Sequence, residues 1–384
     1  MRHLASVQRI TALDPIEGKD RIVLARVLGW NVIVQKDMFN VGDLCVYCEI
    51  DSVLPEKPEF EFLRSKNFRI KTIKMGGVYS QGICFPLSIL PKKTIEQSTE
   101  IKLIEKNGEY RWESMGWKEG DDVTDIIGVK QYEPEMDDPV QSDEHLQKKK
   151  NCLMRFKWYR KLFKKSKRKD GFPSFISKTD EVRIQTAPQM LQDRTEPYVF
   201  TEKLDGSSAT YALRRLPWYV PFKCYEFYVC SRNRRLVDRD DSVYWRIADE
   251  CHIEEGLKQL LDLHFNCKNF ICIQGEIIGP KIQGNPYKLT NLRFYAFNLV
   301  IDGERQQSIY AADLLSQLTW PIDFVPFVGI PKALPASVDE MMEMSNGMSQ
   351  IANVPREGLV VRGRYDSRKS FKAVSPEYLA KKKG

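Results

Sequence analysis

Residues 129–170 divide this chain. Between Glu133 and Glu144 stand six acids with Pro134 and Pro139, which is linker composition. Between Lys148 and Lys169 stand twelve Lys and Arg and no acid. Within that basic stretch Leu153, Phe156, Tyr159, Leu162 and Phe163 recur at near-helical spacing, which predicts a short amphipathic helix. So interrupted, the chain is expected to fold as two bodies, residues 1–128 and 171–384, joined by an acidic-then-basic insert at 129–170. Its 384 residues suffice for two separate cores.

The two flanking texts differ. Residues 1–128 read as all-β. Ile22–Val34 is rich in β-formers and broken at Gly29, and Asp43–Ile50 is a second run. Arg69–Lys74 alternates polar and apolar with period two, and Tyr79–Leu87 returns after the Gly76-Gly77 turn. Short strands with glycine turns predict a small barrel; the OB fold and an SH3-like barrel both fit. From Phe172 onward, strand-like runs (Tyr225–Cys230, Phe270–Ile278, Arg293–Val300, Gly358–Val361) are interspersed with the helical candidates Glu254–Leu263, Ala311–Leu318 and Val338–Met344. That is an α+β pattern, not regular βαβ alternation.

The formal net charge of +7 resides in the insert. Without its twelve bases, 47 basic residues face 52 acidic ones, leaving −5. Three readings of the insert stand open: a solvated linker, a contact for RNA phosphates, or a membrane-surface helix with Trp158 and Phe163 among the lysines. Nine cysteines, of which only Cys45 and Cys48 form a C-x-x-C, and four scattered histidines predict reduced thiols and no structural zinc. No run approaches the ~20 apolar residues of a membrane span, and Met1–Ile16 has no continuous apolar stretch. The expectation is an intracellular protein, cytoplasmic or nuclear, with an organelle left open, and no integral membrane segment.

Chemistry concentrates in a few phrases. Thr201-Glu-Lys-Leu-Asp-Gly-Ser207 contains Lys-x-Asp-Gly. A lysine attacks phosphorus only as a neutral amine, an aspartate two residues on can help hold a metal, and a glycine permits close backbone approach. Alone, the phrase reads equally as a strand end followed by a turn. Downstream, Ile273-Gln-Gly-Glu-Ile-Ile-Gly279 puts an acid inside an apolar strand, where a lone carboxylate is costly to bury. Arg293-Phe-Tyr-Ala-Phe-Asn298 is an aromatic strand, Arg356-Glu-Gly-Leu-Val-Val-Arg362 sets an acid before an apolar pair, and Ser370-Phe-Lys372 ends the series.

In this order the phrases resemble the covalent nucleotidyltransferases, the superfamily of polynucleotide ligases and mRNA capping enzymes. The matching positions are Lys203, Glu276, Phe297, Glu357 and Lys372, with Arg232 in Cys230-Ser-Arg-Asn233 fitting an additional arginine motif of the ligases. The resemblance covers about Phe172 to Lys383. Capping enzymes and most DNA ligases place an OB domain after the final Lys strand. Here twelve residues follow Lys372 and a barrel-like module precedes the motifs, so the chain is similar to ATP-dependent RNA ligases with an amino-terminal OB domain. Lys178-Thr-Asp-Glu181 and Tyr79-Ser-Gln-Gly82 also resemble that family's text. Three features depart from it: Asn298 where Asp is common, the long basic insert, and Val374 where a second Lys is expected, with Lys369 as a possible substitute.

The resemblance implies an OB-type barrel followed by an antiparallel-sheet adenylation domain. It implies that Lys203 takes AMP from ATP, passes it to a 5′-phosphate, and that a 3′-hydroxyl then seals the RNA strand. Asp205, Glu276 and Glu357 would hold Mg²⁺ or Mn²⁺ through water. Glu202 and Phe297 would receive adenine, Gly206 would let the nucleotide approach, and Arg232 and Lys372 would bind the α-phosphate. Arg69, Lys71 and Lys74 of the barrel are candidates for the pyrophosphate. The expected partner is RNA with a 5′-phosphate and a 3′-hydroxyl, and the expected state a monomer. Two other functions compete: a non-catalytic OB-containing RNA-binding protein, and a capping-type guanylyltransferase.

Overall fold

A strand that periodicity does not reveal, β1 (Ala5–Ile16), is the middle of the first sheet in the computed structural model. Residues 5–8 of β1 are all buried, so the strand shows no two-residue alternation there. Both of its faces are covered there, and both of its edges are taken as well. Residues 5–9 pair with β4 (Leu44–Cys48), and Val7 N donates to Asp121 O on the other edge, while residues from Ile10 onward pair with β2 (Lys19–Val27). A strand that changes partner along its length is how a sheet curls toward a barrel.

The structure describes residues 3–94, 101–106, 109–114, 116–132, 171–217, 219, 224–237, 239, 242–263, 269–318, 322–329 and 332–381. The basic stretch and its predicted helix lie outside them. With β3 (Trp30–Gln35) and β5 (Ile83–Pro86), the first sheet runs β3-β2-β1-β4-β5, all antiparallel. Its free edge β3 meets the segment leading into β5: Gln81 N donates to Asn31 O at 2.8 Å, and Ile33 N to Ser80 Oγ at 2.9 Å. That contact splits the expected strand Tyr79–Leu87 into Val78–Ser80 and Ile83–Pro86. The expected strand Arg69–Lys74 is also corrected. Only Ile73–Met75 pairs regularly, with Val78–Ser80, because Arg69 turns inward to Asp51. Trp30 and Tyr47 fill the core, and Cys45, Cys48 and Cys84 lie buried within it as free thiols.

Two further sheets make the second body. In one, β6 (Val182–Arg183) pairs parallel with β13 (Ser370–Val374), which pairs with β12 (Gly358–Gly363), which pairs with β7 (Tyr198–Lys203). In the other, β9 (Tyr225–Ser231), β8 (Ser207–Arg215), β10 (Phe270–Ile278) and β11 (Arg293–Ile301) lie side by side, antiparallel. Helices α1 (Val243–Glu250), α2 (Ile253–Leu263) and α3 (Ser308–Ser316) bury Trp245, Leu257, Leu260 and Leu315 against Ile271, Ile273 and Phe294 of this second sheet. Helix α4 (Val338–Ser345), capped by Ser337 Oγ on Glu340 N, sends Met341 against Phe200 and Phe371 of the first. A last helix, α5 (Pro376–Lys381), follows β13.

The barrel and the second body touch. Gly29 N donates to Gln185 O at 2.8 Å, Thr186 Oγ1 to Glu49 Oε1 at 2.9 Å, and Arg26 pairs with Asp339 at 2.7 Å. Asp51 accepts from Arg69 at 3.2 Å and from Arg183 at 2.9 Å, so one barrel carboxylate joins a barrel cation to a cation of β6.

Candidate active site

Lys203 is the last residue of β7, opposite Gly358 of β12. Its Nζ donates to Glu357 Oε2 at 2.7 Å. Leu204, Asp205 and Gly206 then carry the chain from one sheet into the other. A Cβ on Gly206 would stand 2.3 Å from Ile277 O and 2.8 Å from the Glu276 Cγ, so only glycine lets this crossing lie against β10. A Cβ on Gly358 would meet Ala373 O at 2.2 Å, so the glycine after Glu357 lets β12 and β13 close. Arg356 donates to Met344 O and Asn346 O at 2.6 Å each, tying the approach to Glu357 to the carbonyl end of α4.

The electrostatics of Lys203 follow from its neighbours. Burial pulls its ammonium toward neutrality, but Glu357, Glu276 and Asp205 outweigh burial and hold the proton above the ordinary lysine range. Glu276, inside β10, is pushed up to about 8 by burial, opposed by Lys203 and reinforced by Glu357 and Asp205. With Glu276 holding its proton at neutral pH, one ammonium still faces the Glu357 and Asp205 side chains, a negative surrounding that suits a cation. Among the described residues no three acid, His or Cys side chains converge closely enough to hold a metal directly.

A cleft of about 760 Å³, counting its open mouth, lies between the two sheets with Lys203 and Glu276 in its wall. Phe297 also lines it. The register of β11 against β10 passes from Asn298 to Ala296 with no partner for Phe297, a bulge that turns the ring out of the regular alternation. Asn298 faces elsewhere, buried with its Nδ2 donating to Gln274 Oε1 at 2.9 Å. Glu202 is buried at the cleft wall; its Oε2 accepts from Gln350 N at 2.8 Å, while Oε1 has no hydrogen-bond partner among the described residues. A buried acceptor left open this way favours a ligand that brings a donor.

Lys372 and Arg232, from different sheets, converge on Asp180: Lys372 Nζ donates to Oδ1 at 2.7 Å and Arg232 pairs with Oδ2 at 3.7 Å. Arg235, a possible alternative to Arg232, is committed to Glu226 at 2.7 Å and to the Tyr228 ring. Lys369 lies outside the cleft lining, paired with Asp193 at 2.7 Å and Glu196 at 3.2 Å. Asp205 is buried, outside the cleft lining, with its Oδ2 accepting from Tyr378 Oη at 2.7 Å and its N–H donating to Tyr287 Oη at 2.8 Å. Among the barrel cations, Arg69 lies under the Tyr132 ring at 3.5 Å, Lys71 is half-buried, and Lys74 is exposed beside Tyr79.

Sequence reasoning assigned no role to Asp180, Arg183, Arg362 or Tyr378. Arg183 stands opposite Lys372 in the parallel pairing of β6 and β13, and its charge helps push Lys372 down. Arg362 donates to Phe297 O at 2.8 Å and to Glu181 at 3.2 Å. A weak signal existed in Lys178-Thr-Asp-Glu181-Val-Arg183, where four charged residues cluster ahead of the nucleophile candidate, but no fixed spacing marks their use.

Comparison with known proteins agrees with this geometry. An OB-fold domain family matches residues 4–87, which decides between the two barrel types, and the RNA ligase family matches residues 196–374. No curated protein matches by sequence. Among solved structures, an apo mutant of Naegleria gruberi RNA ligase is 30% identical, with a TM-score of 0.76, over 99% of this chain and 98% of that one. The same ligase with pyrophosphate is 30% identical at a TM-score of 0.76, over 99% of each chain. A mutant of it with ATP and manganese is 29% identical at 0.76, over 98% of each. The chain belongs to the RNA ligase family, among the members that carry an OB-fold domain ahead of the ligase domain.

Proposed function

We propose that the protein seals breaks bearing a 3′-hydroxyl and a 5′-phosphate in RNA, using ATP and carrying AMP on Lys203. The observation that carries this reading is Lys203 in the wall of a cleft also lined by Glu276 and Phe297, with its Nζ donating to Glu357 at 2.7 Å. The Naegleria ligase solved with ATP and manganese supports the choice of nucleotide and divalent ion.

In the first step the neutral Lys203 nitrogen forms a bond to the α-phosphorus, the bond to the bridging oxygen breaks, and pyrophosphate leaves. Phe297 stacks on adenine. The open Oε1 of Glu202 accepts from the 6-amino group, and guanine, which presents an oxygen at that position, leaves it unsatisfied. Lys372 and Arg232 exchange Asp180 for the α-phosphate in charge-assisted bonds. Asp205, Glu276 and Glu357 fit a hydrated Mg²⁺ or Mn²⁺, held through water. Such an ion, when bound, offsets the carboxylate field on Lys203 and neutralises charge on the phosphates. In the second step a 5′-phosphate oxygen displaces Lys203 from the adenylyl phosphorus. In the third a 3′-oxygen attacks the 5′-phosphorus and AMP departs.

The test is incubation with Mg²⁺ and radiolabelled ATP or GTP. Covalent label from ATP, mapped to Lys203, is the expected result. Label from GTP alone would instead make the protein a guanylyltransferase.

A further inference from the structure

Helix α5 touches both bodies of the protein at once. At its start, Ser375 N donates to Glu357 O at 2.9 Å, and Ser375 Oγ accepts from Tyr378 N at 3.1 Å, so the first turn is built on the backbone of Glu357. One turn on, Tyr378 Oη donates to Asp205 Oδ2 at 2.7 Å. The next residue, Leu379, is half-buried and packs against the core of the amino-terminal barrel. Glu377 on the same helix lies within the field of Lys74 of the barrel, and Lys381 within that of Tyr79.

We propose that α5 is a strut that couples the seating of the barrel to the Lys203 site, with Tyr378 as its positioning residue. The inference rests on the reading of Lys203 as the residue that receives AMP. Asp205 lies in the three-residue crossing between Lys203 and β8. The Tyr378 hydroxyl donates to one of its oxygens and so helps to hold its side chain in one orientation. Tyr287 holds the same residue from its N–H, so the crossing is fixed at backbone and side chain by two tyrosines. Since Leu379 packs against the barrel core, displacement of the barrel moves the helix, and with it the hydroxyl that holds Asp205. In this way the barrel acts on the nucleophile's loop without touching it.

Tyr378→Phe removes only the hydroxyl, and Leu379→Ala only the packing against the barrel core. Each full-length variant is compared with wild type in two measurements: hydrogen exchange over residues 204–207, and the rate of label formation from ATP. Tyr378→Phe is expected to speed exchange at 204–207 and to slow labelling roughly tenfold, the value of one hydrogen bond to a carboxylate. Leu379→Ala is expected to speed exchange at 204–207 although it contacts none of those residues, while Leu379→Met, which restores that packing, restores it. Wild-type exchange at 204–207 in both Tyr378→Phe and Leu379→Ala would overturn the proposal. A wild-type protein that takes no label would defeat the ligase reading instead, and the exchange comparison would still decide the strut.

Discussion

Lys203 and Glu357 meet at 2.7 Å although 154 residues separate them in sequence. Adjacent strands bring them together: Lys203 ends β7 and Glu357 precedes β12, and the two strands pair in antiparallel register. The pairing gives the acid charge a direct hold on the ammonium, so the removal of either partner has a distinct outcome.

Lys203→Ala should abolish covalent label, because no other amine stands in that position. Glu357→Gln keeps an acceptor at the same place and removes the charge. It should slow labelling by about 100-fold, the usual cost of losing one preorganised electrostatic partner, with little change in melting temperature. Labelling of Glu357→Gln at the wild-type rate would show that the charge has no part in the reaction.

Lys372 gives a pH signature. Burial pushes it down to about 8, against the pull of Asp180 and with the help of Arg183. Its positive charge is present below that value and lost above it. ATP binding should therefore weaken as pH rises through about 8. In Lys372→Arg the guanidinium stays charged, and the fall should vanish. Calorimetry of ATP binding across this range checks both, and a flat wild-type profile would count against Lys372 as a phosphate ligand.

Glu181 ties the wall of the cleft together, accepting from Arg305 at 2.9 Å and Arg362 at 3.2 Å. Burial alone would push its carboxyl up, but Arg362 and Arg305 outweigh it and hold it below the ordinary range. A depressed carboxyl stabilises the fold at every pH above its unfolded value near ~4.3 and loses that contribution as pH falls below it. Glu181→Gln should destabilise by about 3 kcal/mol at neutral pH, the cost of leaving a buried charge unpaired, and should show a shallower acid limb. Urea unfolding at a series of pH values measures both.

The barrel cations should separate by position. Arg69 is half-buried between Asp51 and the Tyr132 ring, and Asp51 links it to Arg183 beside Lys372. Lys74 is exposed on a hairpin. Arg69→Ala should slow self-labelling by at least tenfold, since expelling pyrophosphate needs cations held in line. Sealing of a strand whose 5′ end already carries AMP should be spared, because pyrophosphate plays no part in that step. Lys74→Ala should change neither. Equal defects in both steps for Arg69→Ala would make its role structural.

The ordered phrases around Lys203, Glu276, Phe297, Glu357 and Lys372 were legible in the sequence, as was the strand Phe270–Ile278 from end to end. They are local: a lysine, an acid and a glycine at fixed spacing carry their chemistry and their backbone requirement in adjacent residues. The barrel was legible in part. The β2–β3 hairpin and β4 were legible as runs of β-forming residues, whereas β1 was not, because burial on both faces at residues 5–8 erases the period of two. Helix α5 was unforeseen, being six residues long with no periodicity to read.

What only the tertiary structure decided is which charges face one another. Asp51, already on Arg69, takes Arg183 from 132 residues away, Asp180 gathers Lys372 from 192 residues away, and Tyr378 reaches Asp205 across 173. Sequence spacing encodes which face of a strand a side chain occupies. Partnership between strands is set by which sheets stack and how the barrel is seated, and that follows from burying three apolar cores together rather than from any single stretch of text.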